Sequence, residues 1–489
     1  MNAVDYFFSE SKNSEELFIL NENEQLTHNQ LYNNVEKLSA FFSKEIGFGK
    51  NILVYSNNSS FFVLAYLSII KSGNVCVPVN PAAKNEITGF IINETKPELC
   101  IVQEKFKRNL IEFNLSFYSE TDLNNILKNE PTEDITVNST NTFDSEQTAE
   151  IIYTSGSTAF PKGVMLSHKN LIANTRSIVK YLQLTKNDKV LVFLPFYYCY
   201  GLSLLHTHLK VGGAIAFNNT FMFIGTVINN LKKYKCTGFS GVPSHFQILL
   251  RKSDTFKKTH FPDLRYVTQA GGKLHSAFIS EFTETFPDIK FWVMYGQTEA
   301  TARLSYLSPE FLPEKLGSLG KAIPDVTLEL FSEEGKEVPE GEVGEIVASG
   351  DNIMKGYYND PDLTNKTLKN GKLYTGDLAK KDKDGFYYIT ARKKEIIKVG
   401  GERVSPKEIE EVIVNFKDVI DCTIEGVFDE ILGEKIKATI VVNNIKDANS
   451  LKEKILEHCK QFLSPIKIPQ QILFEQQVKV NASGKKVKH

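Results

Sequence analysis

The chain has 489 residues, 42% of them hydrophobic and 24% charged, and its 57 Lys and Arg nearly balance its 59 Asp and Glu. That size supports two to four structural units, and the composition is that of a globular protein rather than a disordered or fibrous one. The charge balance leaves no net field to gather nucleic acid or an anionic membrane. The six cysteines, at 76, 100, 199, 236, 422 and 459, lack the spacing of zinc or thiol-redox motifs and read as reduced, packed thiols.

In chain order, Met1 to Glu16 lacks the basic start and apolar core of a signal peptide, so a cytoplasmic protein is expected. The first hundred residues alternate short β-branched runs (52–55, 75–77, 99–102) with helical patterns (61–71, 86–95), the rhythm of a layered α/β fold with parallel strands. Phe61 to Ile70 is half the length of a membrane span and is followed at once by Lys71, which predicts a buried helix. A polar stretch near 130–148 reads as a surface connection. Glu150 to Tyr153 reads as a buried strand, and strand-and-helix alternation continues from 184 to 390 with glycine junctions at Gly212-Gly213 and Gly271-Gly272.

The charged run Ala391 to Glu395 is a candidate linker, and a compact α+β unit follows. Ser405-Pro406-Lys407-Glu408 has the form of a capping box, with Ile409, Val412, Ile413 and Phe416 on one helical face. Ser450 to Glu453 repeats the capping pattern ahead of a second helix carrying Ile455, Cys459 and Phe462 on one side.

The chemistry is concentrated in Thr154-Ser155-Gly156-Ser157-Thr158-Ala159-Phe160-Pro161-Lys162-Gly163. Small residues let backbone N–H groups approach phosphate oxygens, hydroxyls add donors, and lysine supplies charge. A proline precedes Lys162 and a glycine follows it, which excludes a Walker A loop. Alone, such a loop is as readily a flexible surface turn as a phosphate site.

The loop resembles the signature of the adenylate-forming superfamily, which includes acyl-CoA synthetases, peptide-synthetase adenylation domains and beetle luciferases. Tyr295-Gly296-Gln297-Thr298-Glu299, Tyr374-Thr375-Gly376-Asp377, Arg392 to Pro406, and Asn481-Ala482-Ser483-Gly484-Lys485 follow in the family's order, so the resemblance spans nearly the whole chain. It implies an α/β fold with a large layered N-terminal domain, made of Rossmann-like subdomains plus a β-rich part. Residues 1–391 form that domain, 392–394 a hinge centred on Lys394, and 395–489 a small mobile α+β domain carrying the catalytic lysine.

The same resemblance implies an AMP-forming acid–thiol ligase that uses ATP, Mg²⁺ and coenzyme A. Thr154 to Thr158 and Lys162 would grip phosphates, with Gly271 and Gly296 lining the nucleotide site. Tyr295 would pack on adenine, Thr298 would donate to a phosphate, and Glu299 would hold Mg²⁺, a hard ion suited to one or two carboxylates plus phosphate oxygens. Asp377 and Arg392 would bind ribose, and Lys398, Gly400 and Gly401 would line the tunnel for the thiol arm. Lys485 would bridge the substrate carboxylate and the α-phosphate. The acyl pocket would involve Tyr198, Gly201, Ala270 and Gly272.

Two departures stand out: Ala159 replaces the usual glycine, and Tyr198 stands where many acyl- and aryl-CoA ligases carry histidine. The aromatics around Tyr198 suggest an apolar or aryl pocket, and no aspartate is present there to hold an α-ammonium group, which disfavours amino acids. An acyl carrier protein bears the same pantetheine arm as coenzyme A and is the alternative acceptor. A scaffold that has lost catalysis is opposed by the presence of Lys162, Glu299, Asp377 and Lys485 together.

Overall fold

The computed structural model describes residues 1–129, 143–154, 160–416, 418–430, 432–442 and 448–477. Two large sheets dominate the N-terminal part. The seven-stranded sheet runs in the order 356–357, 162–167, 148–154, 75–79, 51–55, 99–102, 117–118, parallel at its centre and antiparallel at the 148–167 edge. The nine-stranded sheet has a parallel centre of 290–295, 266–269, 238–241, 189–192 and 214–217. Strands covered on both faces are apolar at successive positions, as Ile52 to Tyr55 and Val190 to Val192 are, all buried.

The helix Ser60–Lys71 is buried at every position from Phe61 to Ile70, and Ser59 caps it by accepting from the Phe62 N–H at 3.1 Å. A helix apolar all round belongs inside a protein or a membrane. Here it packs on the seven-stranded sheet and faces the helix Cys199–Val211 of the other sheet through a Tyr66–His206 hydrogen bond of 2.8 Å. Among the described residues no helix is long and apolar enough to cross a membrane. None of the six cysteines is in a disulfide, and all but Cys199 are buried.

A third, antiparallel sheet (326–331, 344–350, 368–369, 372–381 and 387–392) supplies the β-rich part. The α+β unit beyond it pairs 397–399, 402–404, 419–429, 433–442 and 471–475 under the helices Pro406–Val414 and Ala448–Phe462. Two local expectations fail there. Ser405 precedes the first helix but makes no capping bond, because its hydroxyl donates to the Thr390 carbonyl and ties the unit to the strand before it. The second helix begins at Ala448, which puts Ser450 inside its first turn, and Phe462 is 64% exposed while Leu463 takes the buried place. The surface connection expected near 130–148 lies largely outside the described residues.

Candidate active site

The phosphate-type loop is the connection of a β-hairpin. Thr148–Thr154 and Lys162–Ser167 run antiparallel with Thr154 opposite Lys162, so Lys162 opens the returning strand. Ser155, Gly156, Ser157, Thr158 and Ala159 lie outside the described residues. Gly163 permits the close pairing, since a Cβ there would meet Ile151 at 2.9 Å. The Lys162 ammonium stands 5.5 Å from the ring centroid of Tyr357. A cavity of about 400 Å³, lined by Phe90, Glu94, Phe160, Lys162, Tyr357 and Asp360, opens beside them.

Tyr295 ends the strand Lys290–Tyr295, and the chain then turns tightly at Thr298–Ala300. Glycine is required at 296, where a Cβ would lie 2.0 Å from the Ala302 carbonyl oxygen. The turn is held by Thr301, at φ +63°, and by the Met354 N–H donating to the Glu299 carbonyl at 2.9 Å. It presents Thr298 beside Cys199, with Oγ1 and Sγ 3.5 Å apart, and Glu299 beside Tyr357, whose hydroxyl donates to Oε1 at 2.7 Å. Glu299 Oε2 has no hydrogen-bond partner among the described residues, which suits a carboxylate left to meet a hard cation.

Asp377 is not a turn residue. It sits within the strand Lys372–Lys381 just after Gly376, whose φ of +75° accompanies a bulge against 344–350. Its Oδ2 accepts the Tyr295 hydroxyl at 2.8 Å and its Oδ1 faces Arg392 Nε at 3.1 Å. Burial pushes the Asp377 carboxyl above the usual range, partly countered by Arg392 and the Tyr295 hydrogen bond. Tyr295, Asp377 and Arg392 are thus brought together from two sheets, and Lys162, Tyr357 and Glu299 are chained alongside.

The acyl-pocket candidates come from two chain segments. Tyr198 precedes the helix Cys199–Val211, its ring 4.8 Å from that of Tyr197, and Gly201 is dictated by a Pro195 carbonyl that a Cβ would approach to 2.2 Å. Ala270, Gly271 and Gly272 follow the strand Tyr266–Gln269, with Gly271 at φ +82° and the Gln269 amide donating to the Gly272 carbonyl at 2.8 Å. Tyr200 links the segments through its hydroxyl, 2.8 Å from Thr268 Oγ1.

Three residues were missed in the sequence. Tyr357 supports both Lys162 and Glu299. Glu345 accepts from the Gly376 N–H at 2.9 Å and pairs with Lys393 at 2.7 Å. Arg303 lies buried against Tyr200. Position within Tyr295 to Arg303 could have flagged the last; the other two carry no local signal.

The linker expected at 391–395 is shorter than it reads, because the strand Tyr387–Arg392 runs through Ala391 and only Lys393–Glu395 forms a turn, with Lys394 exposed. Lys398, Gly400 and Gly401 lie on an exposed hairpin that continues into Arg403, which pairs with Glu333 at 3.2 Å and not with the cluster around Asp377. The small unit docks through Glu411, which accepts from Ser276 N–H at 2.9 Å and meets Lys273 at 3.0 Å and His275 at 3.1 Å. Lys485 lies outside the described residues.

The N-terminal family model for AMP-binding enzymes matches residues 8–358, and the model for the AMP-binding enzyme C-terminal domain matches 408–485. An oxalate–CoA ligase from Arabidopsis thaliana is 27% identical over 476 residues, covering 94% of this chain and 91% of that protein. A feruloyl-CoA synthase from Amycolatopsis is 31% identical over 340 residues, covering 69% and 68%. Among solved structures, an anthranilate CoA ligase complexed with anthranoyl-AMP superposes with a TM-score of 0.90 at 23% identity, covering 99% of this chain and 95% of that one. The Bacillus subtilis o-succinylbenzoate CoA synthetase, complexed with its acyl-adenylate, gives 0.86 at 24%, covering 99% and 96%. These likenesses show the fold, and because the AMP-binding enzyme model spans residues 8–358, more than half of its length, the chain belongs to the AMP-binding enzyme family.

Proposed function

We propose that this protein activates a carboxylic acid with ATP as an acyl-adenylate and then passes the acyl group to the thiol of coenzyme A. The observation that carries the reading is the convergence of Tyr295, Asp377 and Arg392 beside Glu299, Tyr357 and Lys162, a hydroxyl-and-carboxylate cradle next to a cation and an acceptor suited to a metal. Relatives named as CoA ligases and synthetases favour coenzyme A over a carrier protein as acceptor.

Asp377 has acceptors for both ribose hydroxyls once Arg392 shifts from it, and Tyr295 offers a flat buried face for the adenine. Thr298 and the 154–158 segment hold phosphate oxygens by hydrogen bonds, while Lys162 follows the leaving pyrophosphate. Glu299, with substrate phosphates, would hold Mg²⁺, which would neutralise phosphate charge when bound. Lys485 reaches the site from the tail and offsets charge as the carboxylate oxygen attacks the α-phosphorus and pyrophosphate leaves. Closure of the small domain keeps water from the mixed anhydride. The 395–489 domain, split from 1–391 at 392–394, then turns about Lys394, withdraws Lys485 and brings Lys398, Gly400 and Gly401 to the cleft. There the thiol attacks the acyl carbonyl and AMP leaves.

ATP–pyrophosphate exchange over fatty, aryl, hydroxy, dicarboxylic and amino acids tests the first half, and mass spectrometry with coenzyme A or a carrier protein tests the second. Exchange with no acid would overturn the reading. A product formed only on a carrier protein would overturn the acceptor.

A further inference from the structure

Of the seven arginines, Arg176, Arg251, Arg265, Arg392 and Arg403 each face a carboxylate, and Arg108 is exposed. Arg303 differs: it is 3% exposed and has no carboxylate within ion-pair distance among the described residues. Its Nε donates to the Met294 thioether at 3.3 Å and its Nη1 to the Ala302 carbonyl at 3.1 Å, and its guanidinium stands 4.1 Å from the ring centroid of Tyr200. Sulfur is a weak acceptor, and a buried cation with only neutral neighbours bears a desolvation cost that an anion would relieve.

Tyr200, from one segment of the proposed acyl site, stands at this cation; the segment before Ala270 is tied to Tyr200, and the Gly296 turn of the proposed nucleotide site lies against the Arg303 backbone. Tyr200 lies between Tyr198 and Gly201 in the first turn of the helix Cys199–Val211, which also sets Cys199 against Thr298. The Tyr200 hydroxyl is tied to Thr268, two residues before Ala270. The backbone of Arg303 packs on Gly296, where a Cβ would come within 2.8 Å of the Arg303 Cα.

Resting on the ligase reading above, we propose that Arg303 is a specificity-determining residue that selects acids bearing a second carboxylate. One carboxylate is activated at Thr298 and Glu299, and the other takes the planar guanidinium two-pronged over the face of Tyr200, displacing the weak thioether contact now there. This changes the aryl or purely apolar pocket suggested by Tyr197, Tyr198 and Tyr200 into one with a fixed charge at its wall.

The test compares linear dicarboxylic acids with their monomethyl esters and with ω-hydroxy acids of equal length, in ATP–pyrophosphate exchange by the wild-type chain. Esterifying or reducing the distal carboxylate is expected to lower kcat/KM by roughly 10²-fold or more, since a buried charge is then left unpaired. Arg303→Met should bring diacid and ester within about threefold of each other, and Arg303→Lys, which keeps the charge without the fork, should retain part of the preference. Equal rates for diacid and ester in the wild type, or an undiminished preference in Arg303→Met, overturn the proposal while leaving the ligase reading intact. If Arg303→Met does not fold, the wild-type panel and Arg303→Lys decide: a preference that Lys leaves unchanged overturns the forked pairing. Failure of every acid to support exchange overturns the ligase reading and this proposal with it.

Discussion

The Tyr295 hydroxyl donates to Asp377 Oδ2 at 2.8 Å, joining the end of a strand in the nine-stranded sheet to the antiparallel sheet beside it. Burial raises the Asp377 carboxyl above its ordinary range. A raised carboxyl contributes stability at acid pH that is lost as pH rises through its folded value, so ionised Asp377 weighs against the fold at neutral pH. Asp377→Asn is therefore expected to match or exceed the wild type in thermal stability while the KM for ATP rises by about 10- to 10²-fold, the loss of one charged hydrogen-bonding partner. A clear fall in Tm would contradict this sign.

Tyr357→Phe removes the donor to Glu299 and leaves the ring under Lys162 in place. The expected result is little change in Tm and a shift of about 5- to 10-fold in the Mg²⁺ concentration giving half-maximal pyrophosphate exchange, the size of one hydrogen bond. Titration of the exchange rate against Mg²⁺ measures it. An unchanged midpoint would mean that Tyr357 does not orient the carboxylate.

Glu411 fastens the small domain to Lys273, His275 and Ser276. Burial raises its carboxyl, but the His275 hydrogen bond and the positive charges of Lys273 and His275 outweigh that and hold it far below the carboxylate range. A depressed carboxyl contributes stability that is present above its unfolded value of 4.5 and lost as pH falls toward the folded one. Glu411→Gln should speed protease cleavage near 392–394 at neutral pH and slow adenylation, and lowering the pH well below 4.5 should bring the wild type toward the variant.

Lys485→Ala separates the two half-reactions. Acyl-AMP formation should fall by roughly 10²-fold or more, as for other removals of positioned transition-state charge, while a supplied acyl-AMP is still converted to thioester. Equal losses in both halves would sink the two-face domain rotation.

Glu150 accepts the Tyr66 hydroxyl at 2.6 Å deep between the two sheets, and burial pushes its carboxyl up to about 7 against the lowering effect of Tyr66. Its contribution to stability is full below 4.5 and is lost as pH rises through about 7. Between 4.5 and about 7 the wild type should lose up to about 1.4 kcal/mol per pH unit relative to Glu150→Gln, and above about 7 the difference between them should stay constant. Urea unfolding of both proteins from mildly acidic to neutral pH checks this, and curves that stay parallel throughout that window would refute it.

The sequence by itself determined the parts whose information is local. The buried helix Ser60–Lys71, the parallel strands near 52, 75 and 99, and the strand into the 154–163 loop are written in runs of neighbouring apolar residues, because backbone periodicity repeats within a few residues. The motif order from Thr154 to Lys485 likewise identified the family before any contact was known. Local rules failed where a distant group competed: the Ser405 hydroxyl serves Thr390 instead of its helix, and Phe462 yields its buried place to Leu463. Only the tertiary structure decided that Tyr357 reaches Glu299 across 58 residues, that Asp377 reaches Tyr295 across 82, and that Arg303 is buried beside the acyl segment with no carboxylate partner among the described residues. These pairings depend on how the sheets pack, and burial sets both the cost of each charge and the partner that relieves it.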